Sequence, residues 1–484
     1  MAYGRWAKQF GAVYKVRLGE RDVVVINTIG AARDLLVDQG TVFVSRPVFH
    51  AFHKVISSTA GMSIGSSPWD DSCRRRRTAV TTALKRSKVQ TYLHIIDRET
   101  LTLVEDLIRF QGQAINPDRL MFRFALNVAL GVNYGSRIGG GLDNQLLAEI
   151  IEVEDAITNV RSTNGQWSDY VPLLRRLPKL PRLSNAAQPP QHANLRHRRD
   201  IYMGALLSDL RMRIAQGTDV PCIISNILRD PQAVLDKGEV ISICLSIISS
   251  GLDTLAKILL WSIGFLAQHP EIQATAYAAL VEAHAGNVPP SEDDRVDYIR
   301  ALAKECMRYF TILKLSLPRE TMGEAKWNGI TIPSGTTVFT NAWSIHHDAE
   351  HYEAPHEFRP ERYMSDEADE HNMPSNSHTS SKSRSEPHVG FGLGRRACAG
   401  SYLADREMYL ALSKLIFFFR IEQSSHAEER DFDIDPATAT ANPFGLGSMP
   451  LAYKVRFVPR NEELISAYTA LEKERAALAA TLSS

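Results

Sequence analysis

The chain has 484 residues, of which 44% are hydrophobic and 23% charged, enough apolar material for one large core or two ordinary ones. Lys plus Arg number 55 and Asp plus Glu 55, so the formal net charge is zero and nothing in the balance calls for a nucleic acid or another polyanion as partner. The five cysteines, Cys73, Cys222, Cys244, Cys306 and Cys398, are odd in number and scattered, which argues against a disulfide framework and for a reducing compartment with four ordinary buried thiols.

Met1 to Phe10 contains no uninterrupted apolar run, so neither a signal peptide nor an anchor helix is expected and the chain reads as soluble. Tyr14, Val16 and Leu18 alternate with Lys15 and Arg17, a turn follows at Gly19 to Asp22, and Val23 to Ile26 resumes, which predicts a hairpin. Asn27 or Thr28 can then cap a helix that ends by Gly40. From Arg98 to about Leu280 the pattern is mostly helical, without internal repeats and broken by Pro-rich loops such as Leu177 to Gln191. Glu239 to Gln268 predicts a helix of about 45 Å at 1.5 Å per residue, long enough to cross a membrane. Asp253 and Lys257 sit near its middle, where each charge costs about 2.5 to 3.5 kcal/mol in lipid, so a core helix of a soluble protein is the better reading. Beyond Arg319 come short β-like pieces, Thr331 to Ile332 and Thr336 to Phe339, then a polar segment, Ser365 to Pro387, expected to be a solvated loop. A last long helix is predicted from about Ala399 to Phe418. No linker separates independent domains, so residues 1–484 read as one domain, mainly α with small β-sheets.

The most informative stretch is Phe391-Gly392-Leu393-Gly394-Arg395-Arg396-Ala397-Cys398-Ala399-Gly400. Backbone N–H groups at a helix start, the positive end of the helix dipole and nearby Arg side chains all lower a thiol's pKa and favour the thiolate, the form that binds iron. The glycines let backbone pass close beneath a flat ring, Phe391 can shield the sulfur from water, and Arg396 can meet a carboxylate on the ring's edge. Two plainer readings compete. A nucleotide-phosphate loop would use Gly392 and Gly394, but Ala397 takes the place of the third glycine and no strand precedes it. A buried structural thiol is the commonest fate of a lone cysteine, yet it does not require so constrained a pattern as F-x-x-G-x-R-x-C-x-G.

With that pattern the chain resembles the cytochrome P450 family, and the resemblance covers nearly all of it. It implies an α-rich triangular prism with haem b between the long central helix and the Cys-loop helix, Cys398 holding the iron and Phe391, Gly392 and Arg396 beside it. Glu305 and Arg308 stand three apart on one helical face, which alone would be an ordinary surface pair contributing about 0 to 1 kcal/mol. Phe358-Arg359-Pro360-Glu361-Arg362-Tyr363 is similar to the family's Pro-Glu-Arg-Phe segment, with Tyr363 for Phe, and implies a buried network of Glu305, Arg308 and Arg362 that braces the Cys loop. Pro318-Arg319 resembles the strand from which an Arg contacts a haem propionate. Trp69 opens a segment similar to the helix on the haem's other flank, but Cys73 fills the Arg place of W-x-x-x-R; Arg74 follows it and is the candidate contact, with the choice among Arg74 to Arg77 left open by the sequence. The run Arg74 to Arg77 also reads as a solvated face or a dock for an acidic reductase.

Ser249-Ser250-Gly251-Leu252-Asp253-Thr254 lies midway along the long helix and resembles the family's A/G-G-x-D/E-T, with Ser250 for the small apolar residue. A Gly inside a helix costs about 1 kcal/mol, a local rule-break that implies room for dioxygen and water. The implied roles are Thr254 holding the oxygen and its water while Asp253 relays protons. The plainer reading is a helix bend in which Ser and Thr bond back to the preceding turn, which does not require an Asp. A thiolate ligand favours O–O cleavage. The chain has no flavin or nicotinamide motif, so the resemblance implies electrons from NADPH through a separate NADPH-cytochrome P450 reductase, with cytochrome b5 as an additional donor, at the cytosolic face of the endoplasmic reticulum. Against that expectation, Tyr3 stands only a few residues before Phe10-Gly11-Ala12-Val13-Tyr14, where membrane-bound relatives carry an anchor helix and hinge, so the chain is expected to be either truncated or a soluble variant.

Phe43 to His50, Gly65 to Asp70, and Phe124 to Asn127 before Asn133-Tyr134-Gly135 are similar to the fungal phenylacetate hydroxylase branch, which implies ring hydroxylation of a small aryl acid; tailoring in a secondary-metabolite pathway is the alternative. A substrate carboxylate needs a cationic partner in an apolar pocket. Lys314, among Ile312, Leu313 and Leu315, is the candidate, with a haem propionate as the competing anion; His53 and Lys54 are secondary, and Ser250 and Gly251 are expected to border the substrate. A haem sensor or electron carrier would not need Asp253 and Thr254, and a haem-thiolate isomerase or dehydratase would commonly lose the Thr.

Overall fold

The computed structural model describes every residue except 1, 58–62, 111, 163–166, 177–188, 285–289, 292–293, 365–387, 427–428, 430–431, 464, 467–469 and 471–484. The predicted loop 365–387 and most of the Pro-rich loop 177–191 lie outside the described residues.

Alternation at the N-terminus does produce the hairpin, with β1 (Val13–Leu18) antiparallel to β2 (Arg21–Ile26) from Val13↔Ile26 to Leu18↔Arg21. Gly19 makes the turn at φ +57°, where a Cβ would strike the carbonyl of Tyr170 at 2.2 Å. Thr28 caps the following helix, Ile29–Arg33, by accepting from the N–H of Ala31. Further on come β3 (Arg319–Glu320), the small pair β4 (Ala325–Trp327) and β5 (Ile330–Ile332), and β6 (Thr337–Thr340). β6 runs parallel to β2 and antiparallel to β3, giving a four-stranded sheet in the order β1-β2-β6-β3 in which Arg319 pairs with Val338. β7 (Phe419–Gln423) and β8 (Val455–Pro459) form a third, two-stranded sheet.

Helices make the core. The central one, Lys237–Gln268, begins two residues before the predicted start because Asp236 and Glu239 form a capping box, Asp236 accepting from the Glu239 N–H at 2.8 Å. It is the one described helix long and apolar enough to cross a membrane, but 78% of that apolar window is buried inside the protein, as a core helix should be. Helix Asp118–Tyr134 lies along it with Leu120 to Tyr134 all buried. The helix after the cysteine runs from Ser401 to Phe418, two residues later than predicted, with Arg406 to Phe418 buried. Cys73, Cys222, Cys244 and Cys306 are buried free thiols, as expected.

Candidate active site

Two left-handed glycines shape the cysteine loop. Gly392 has φ +70° and Gly394 φ +59°, and a Cβ on Gly394 would lie 2.0 Å from the carbonyl oxygen of Leu36. The Cys398 N–H donates to the Phe391 carbonyl at 2.7 Å and the Gly392 N–H to that of Val389 at 2.8 Å, which folds Phe391 back toward the cysteine. Cys398 alone among the five cysteines is exposed at its surface. Its thiol pKa is nevertheless raised: the surrounding protein pushes it up, while the Gly400 N–H and the charge of Arg77 pull it down and Glu407 pushes it up again. The expectation of a thiol primed by a helix start is thus corrected, because the helix begins three residues later and desolvation by the surrounding protein outweighs the local donors.

Arg46, Arg77, Arg319 and Arg396 gather beside this loop from four different segments. Arg319 donates to the Leu393 carbonyl at 2.5 Å; Arg396 reaches Val44, Ile64, Gly65 and Ser67 carbonyls at 2.9 to 3.3 Å; Arg77 donates to the Ala397 carbonyl; Arg46 donates to those of Leu317 and Pro318. Among the described residues none of the four has a carboxylate partner, and the Nε of Arg46 is buried with no acceptor at all. Burial, and then the neighbouring guanidinium charges, push Arg319 down to about 9 and Arg46 well below its ordinary value. Burial likewise takes Arg396 to about 10, against the opposing pull of Cys73. Trp69 joins the group, with the Arg396 guanidinium 5.8 Å from its ring centroid. Arg74 does not: its side chain is 65% exposed and pairs with Asp71 at 2.9 Å. The helix Asp71–Ala83 buries Cys73, Arg76 and Val80, so Arg74 falls on the opposite, solvent-facing side and Arg77 is the residue that reaches the cysteine loop.

The predicted brace is assembled. Glu305 and Arg308 are both 0% exposed and share two hydrogen bonds at 2.7 and 2.8 Å. The Nε of Arg362 and the N–H of Arg359 also donate to Glu305, at 3.2 and 2.7 Å. Burial works to lower the Arg308 pKa, but the Glu305 hydrogen bonds and charge outweigh it and the pKa is raised. Sequence reading missed how this brace reaches the loop. Arg308 donates to the His346 carbonyl at 2.8 Å, and the His346 Nε2 accepts from the N–H of Val389, two residues before Phe391. The ring's Nδ1–H then faces the Thr311 hydroxyl at 2.8 Å, and burial keeps the imidazole neutral.

On the central helix, Thr254 donates to the Ser250 carbonyl at 2.7 Å, Ser250 to that of Ser246 at 2.6 Å, and Ser246 to that of Ser242 at 2.6 Å, the back-bonding of the plainer reading. Ser250 is exposed, Gly251 and Thr254 half-buried, and Asp253 buried in an ion pair with Lys257 at 2.6 Å. Neighbours on a helix project about 100° apart, so Asp253 and Thr254 face different ways. Gly251 does not open oxygen room at its Cβ position, since a Cβ there would meet Ala129 at 3.1 Å; the glycine lets helix Asp118–Tyr134 approach.

The cationic candidates are redistributed. Lys314 donates to the Pro436 carbonyl at 2.6 Å and the Thr440 hydroxyl at 3.1 Å, with burial pulling its pKa to about 8, so it serves the 436–440 turn rather than a propionate or a substrate. His53 is buried and fully bonded, its Nδ1 accepting from the Phe49 N–H at 2.9 Å and its Nε2 facing the Ser66 carbonyl at 3.0 Å, and Lys54 is exposed. His53 lines a cavity of about 30 Å³ with Arg46, Phe49, Phe52, Arg161, Leu317 and others; Lys314 lines a second, of about 60 Å³, with Ser316, Thr440 and Asn442.

An accessible cysteine on a glycine loop, flanked by four guanidiniums that have no carboxylate partner among the described residues, fits a cofactor presenting a metal to the sulfur and carboxylates to the arginines; this is the donor set of a haem-thiolate protein. The chain belongs to the cytochrome P450 family, whose model matches residues 2–448. It is 41% identical over 479 residues to the phenylacetate 2-hydroxylase of Emericella nidulans, covering 97% of this chain and 88% of that one. It is 38% identical over 466 residues to the 3-hydroxyphenylacetate 6-hydroxylase of the same organism, covering 95% and 85%. The fold matches a zebra fish cytochrome P450 solved with progesterone at a TM-score of 0.75 and 22% identity, over 95% of this chain and 99% of that one. The protein is therefore a monooxygenase of the haem-thiolate type.

Proposed function

We propose that this monooxygenase hydroxylates the aromatic ring of a small aryl acid, phenylacetate or a hydroxylated phenylacetate. The observation that carries the reading is identity of 41% and 38%, across almost the whole chain, to two hydroxylases of phenylacetate-type substrates. Cys398 is the thiolate in this reading, Phe391 and Gly392 would lie in the loop beneath the ring, and Arg46, Arg77, Arg319 and Arg396 would meet the propionates, with the Trp69 ring beside Arg396. The bound haem supplies activation of dioxygen, so that one oxygen atom enters a ring C–H bond and the other leaves as water with two electrons and two protons. Thr254 holds a proton at its hydroxyl and orders water on the accessible face that it shares with Ser250. Asp253 passes protons inward by leaving Lys257, its partner at 2.6 Å, for the Thr254 side. Electrons come from NADPH through a separate reductase, with cytochrome b5 as an additional donor, at the cytosolic face of the endoplasmic reticulum. Glu305, Arg308 and Arg362 retain the haem and take no part in the chemistry.

The test is a substrate-binding spectral titration of the purified haem protein with phenylacetate and 3-hydroxyphenylacetate, followed by product analysis with reductase and NADPH. Saturable shifts and a ring-hydroxylated product are expected. Absence of both, with turnover of a neutral aromatic instead, would overturn the aryl-acid reading.

A further inference from the structure

We infer that Arg161 is the residue that receives the substrate's carboxylate, an assignment that rests on the aryl-acid reading above. Arg161 closes the helix Gln145–Val160, with its backbone N–H bonded to the carbonyls of Ile157 and Thr158 at 3.1 Å, so the helix end sets its position. Its side chain enters the cavity of about 30 Å³ bounded by Phe49, Phe52, Leu317 and Pro318. The guanidinium carbon lies 5.2 Å from the Phe52 ring centroid. Among the described residues the guanidinium makes no hydrogen bond and no ion pair. Glu154 and Asp253 bear on it electrostatically without pairing, and burial, the largest influence, lowers its pKa.

The other cations of the neighbourhood are committed to protein acceptors to a greater degree. Both ring nitrogens of His53 are bonded, and burial keeps it neutral. Arg46 also lines this cavity and its Nε has no acceptor, but its Nη1 donates to both the Leu317 and Pro318 carbonyls and its charge belongs to the arginine group beside Cys398, while Lys314 donates to Pro436 and Thr440. Arg161 keeps its five donors uncommitted in a largely apolar recess, where an unpaired charge is costly and a carboxylate removes that cost through two parallel hydrogen bonds. Phe49, Phe52, Leu317 and Pro318 supply the apolar walls that a phenyl ring requires. About 30 Å³ holds little more than one water, so the ring enters the space that Arg161 and Phe52 now share, and Arg161 exchanges its aromatic contact for the carboxylate.

The experiment is calorimetric titration of the haem-loaded protein and an Arg161→Met variant with phenylacetate and with phenylacetamide, which has the same ring and no charge. The wild type should prefer the acid. In R161M the Kd for the acid should rise by about 30-fold or more, the lower end of the 2 to 5 kcal/mol for unpairing a buried charge at tenfold per 1.4 kcal/mol, while the amide changes little. Should R161M fail to take up haem, Arg161→Gln, which also removes the charge, gives the same comparison. A variant that still prefers the acid as strongly as the wild type overturns the assignment and leaves the aryl-acid reading standing. A wild type that binds amide as tightly as acid overturns the aryl-acid reading and this assignment with it.

Discussion

Replacing Glu305 by Ala removes the anion on which three donors converge. Arg308 loses both bonds to the carboxylate, at 2.7 and 2.8 Å, and Arg362 and the Arg359 N–H lose theirs. Arg308 keeps only carbonyl acceptors, His346 and Pro355 at 2.8 Å and Glu357 at 3.0 Å, around a guanidinium that is 0% exposed. An exposed pair would give a loss of about 0 to 1 kcal/mol, whereas breaking a buried pair by removing one partner costs about 3 to 5 kcal/mol. Against a typical stability of about 5 to 15 kcal/mol the effect is large, and it falls on the path Arg308–His346–Val389 that holds the cysteine loop. The assay is the urea midpoint by circular dichroism together with the amplitude of the ferrous carbon monoxide band during warming. E305A should unfold at lower urea and lose the band first. The double variant Glu305→Leu with Arg308→Leu should cost less than the sum of the two single changes, since neither charge is then left alone. A stability within about 1 kcal/mol of wild type, with unchanged haem retention, would refute the argument.

Thr254→Ala should keep haem and substrate binding but divert NADPH-derived electrons to peroxide; unchanged coupling of NADPH use to product would remove Thr254 from proton delivery. Gly394→Ala should cost more than the roughly 1 to 2 kcal/mol of left-handed backbone, because the new Cβ also meets the Leu36 carbonyl, whereas Gly30→Ala, with open space at its Cβ, should be tolerated; equal thermal stability of the two variants would contradict this. Burial holds His388 down to about 4, below the ordinary value near 6.5, so the unfolded chain binds a proton there that the native chain does not. Its share of stability is present above pH 6.5 and lost as pH falls toward 4, at about 1.4 kcal/mol per pH unit, and His388→Asn should flatten the acid side of a stability-against-pH curve by that slope. An acid slope identical to wild type would mean that His388 protonates freely in the folded state.

What could be read in the sequence was whatever neighbours along the chain decide for themselves. Alternation in Tyr14 to Leu18 suffices for a hairpin, an apolar run with capping residues for the central helix, and the spacing of Glu305 and Arg308 for a pair on one helical face. The glycines around Cys398 were legible for the same reason, since φ at Gly392 and Gly394 is a local demand. The expectations that failed each depended on a partner distant in the chain. Four consecutive arginines look alike until packing against the rest of the fold sets the helix phase, which sends Arg74 to solvent and Arg77 to the Ala397 carbonyl, 320 residues away. Lys314 looked unpartnered because Pro436 and Thr440 are more than 120 residues further on, and Arg161 drew no notice because its significance is that, among the described residues, its guanidinium has a ring beside it but no acceptor. The Cys398 thiol was read from donors beside it, while the desolvation that raises its pKa is the sum of every segment folded around it. Backbone conformation is governed by sterics over a few residues, so the sequence alone determined the elements and the cysteine loop; charge and hydrogen-bond satisfaction are governed by distance in space, so only the tertiary structure decided which side chains are paired, buried or left available for a ligand.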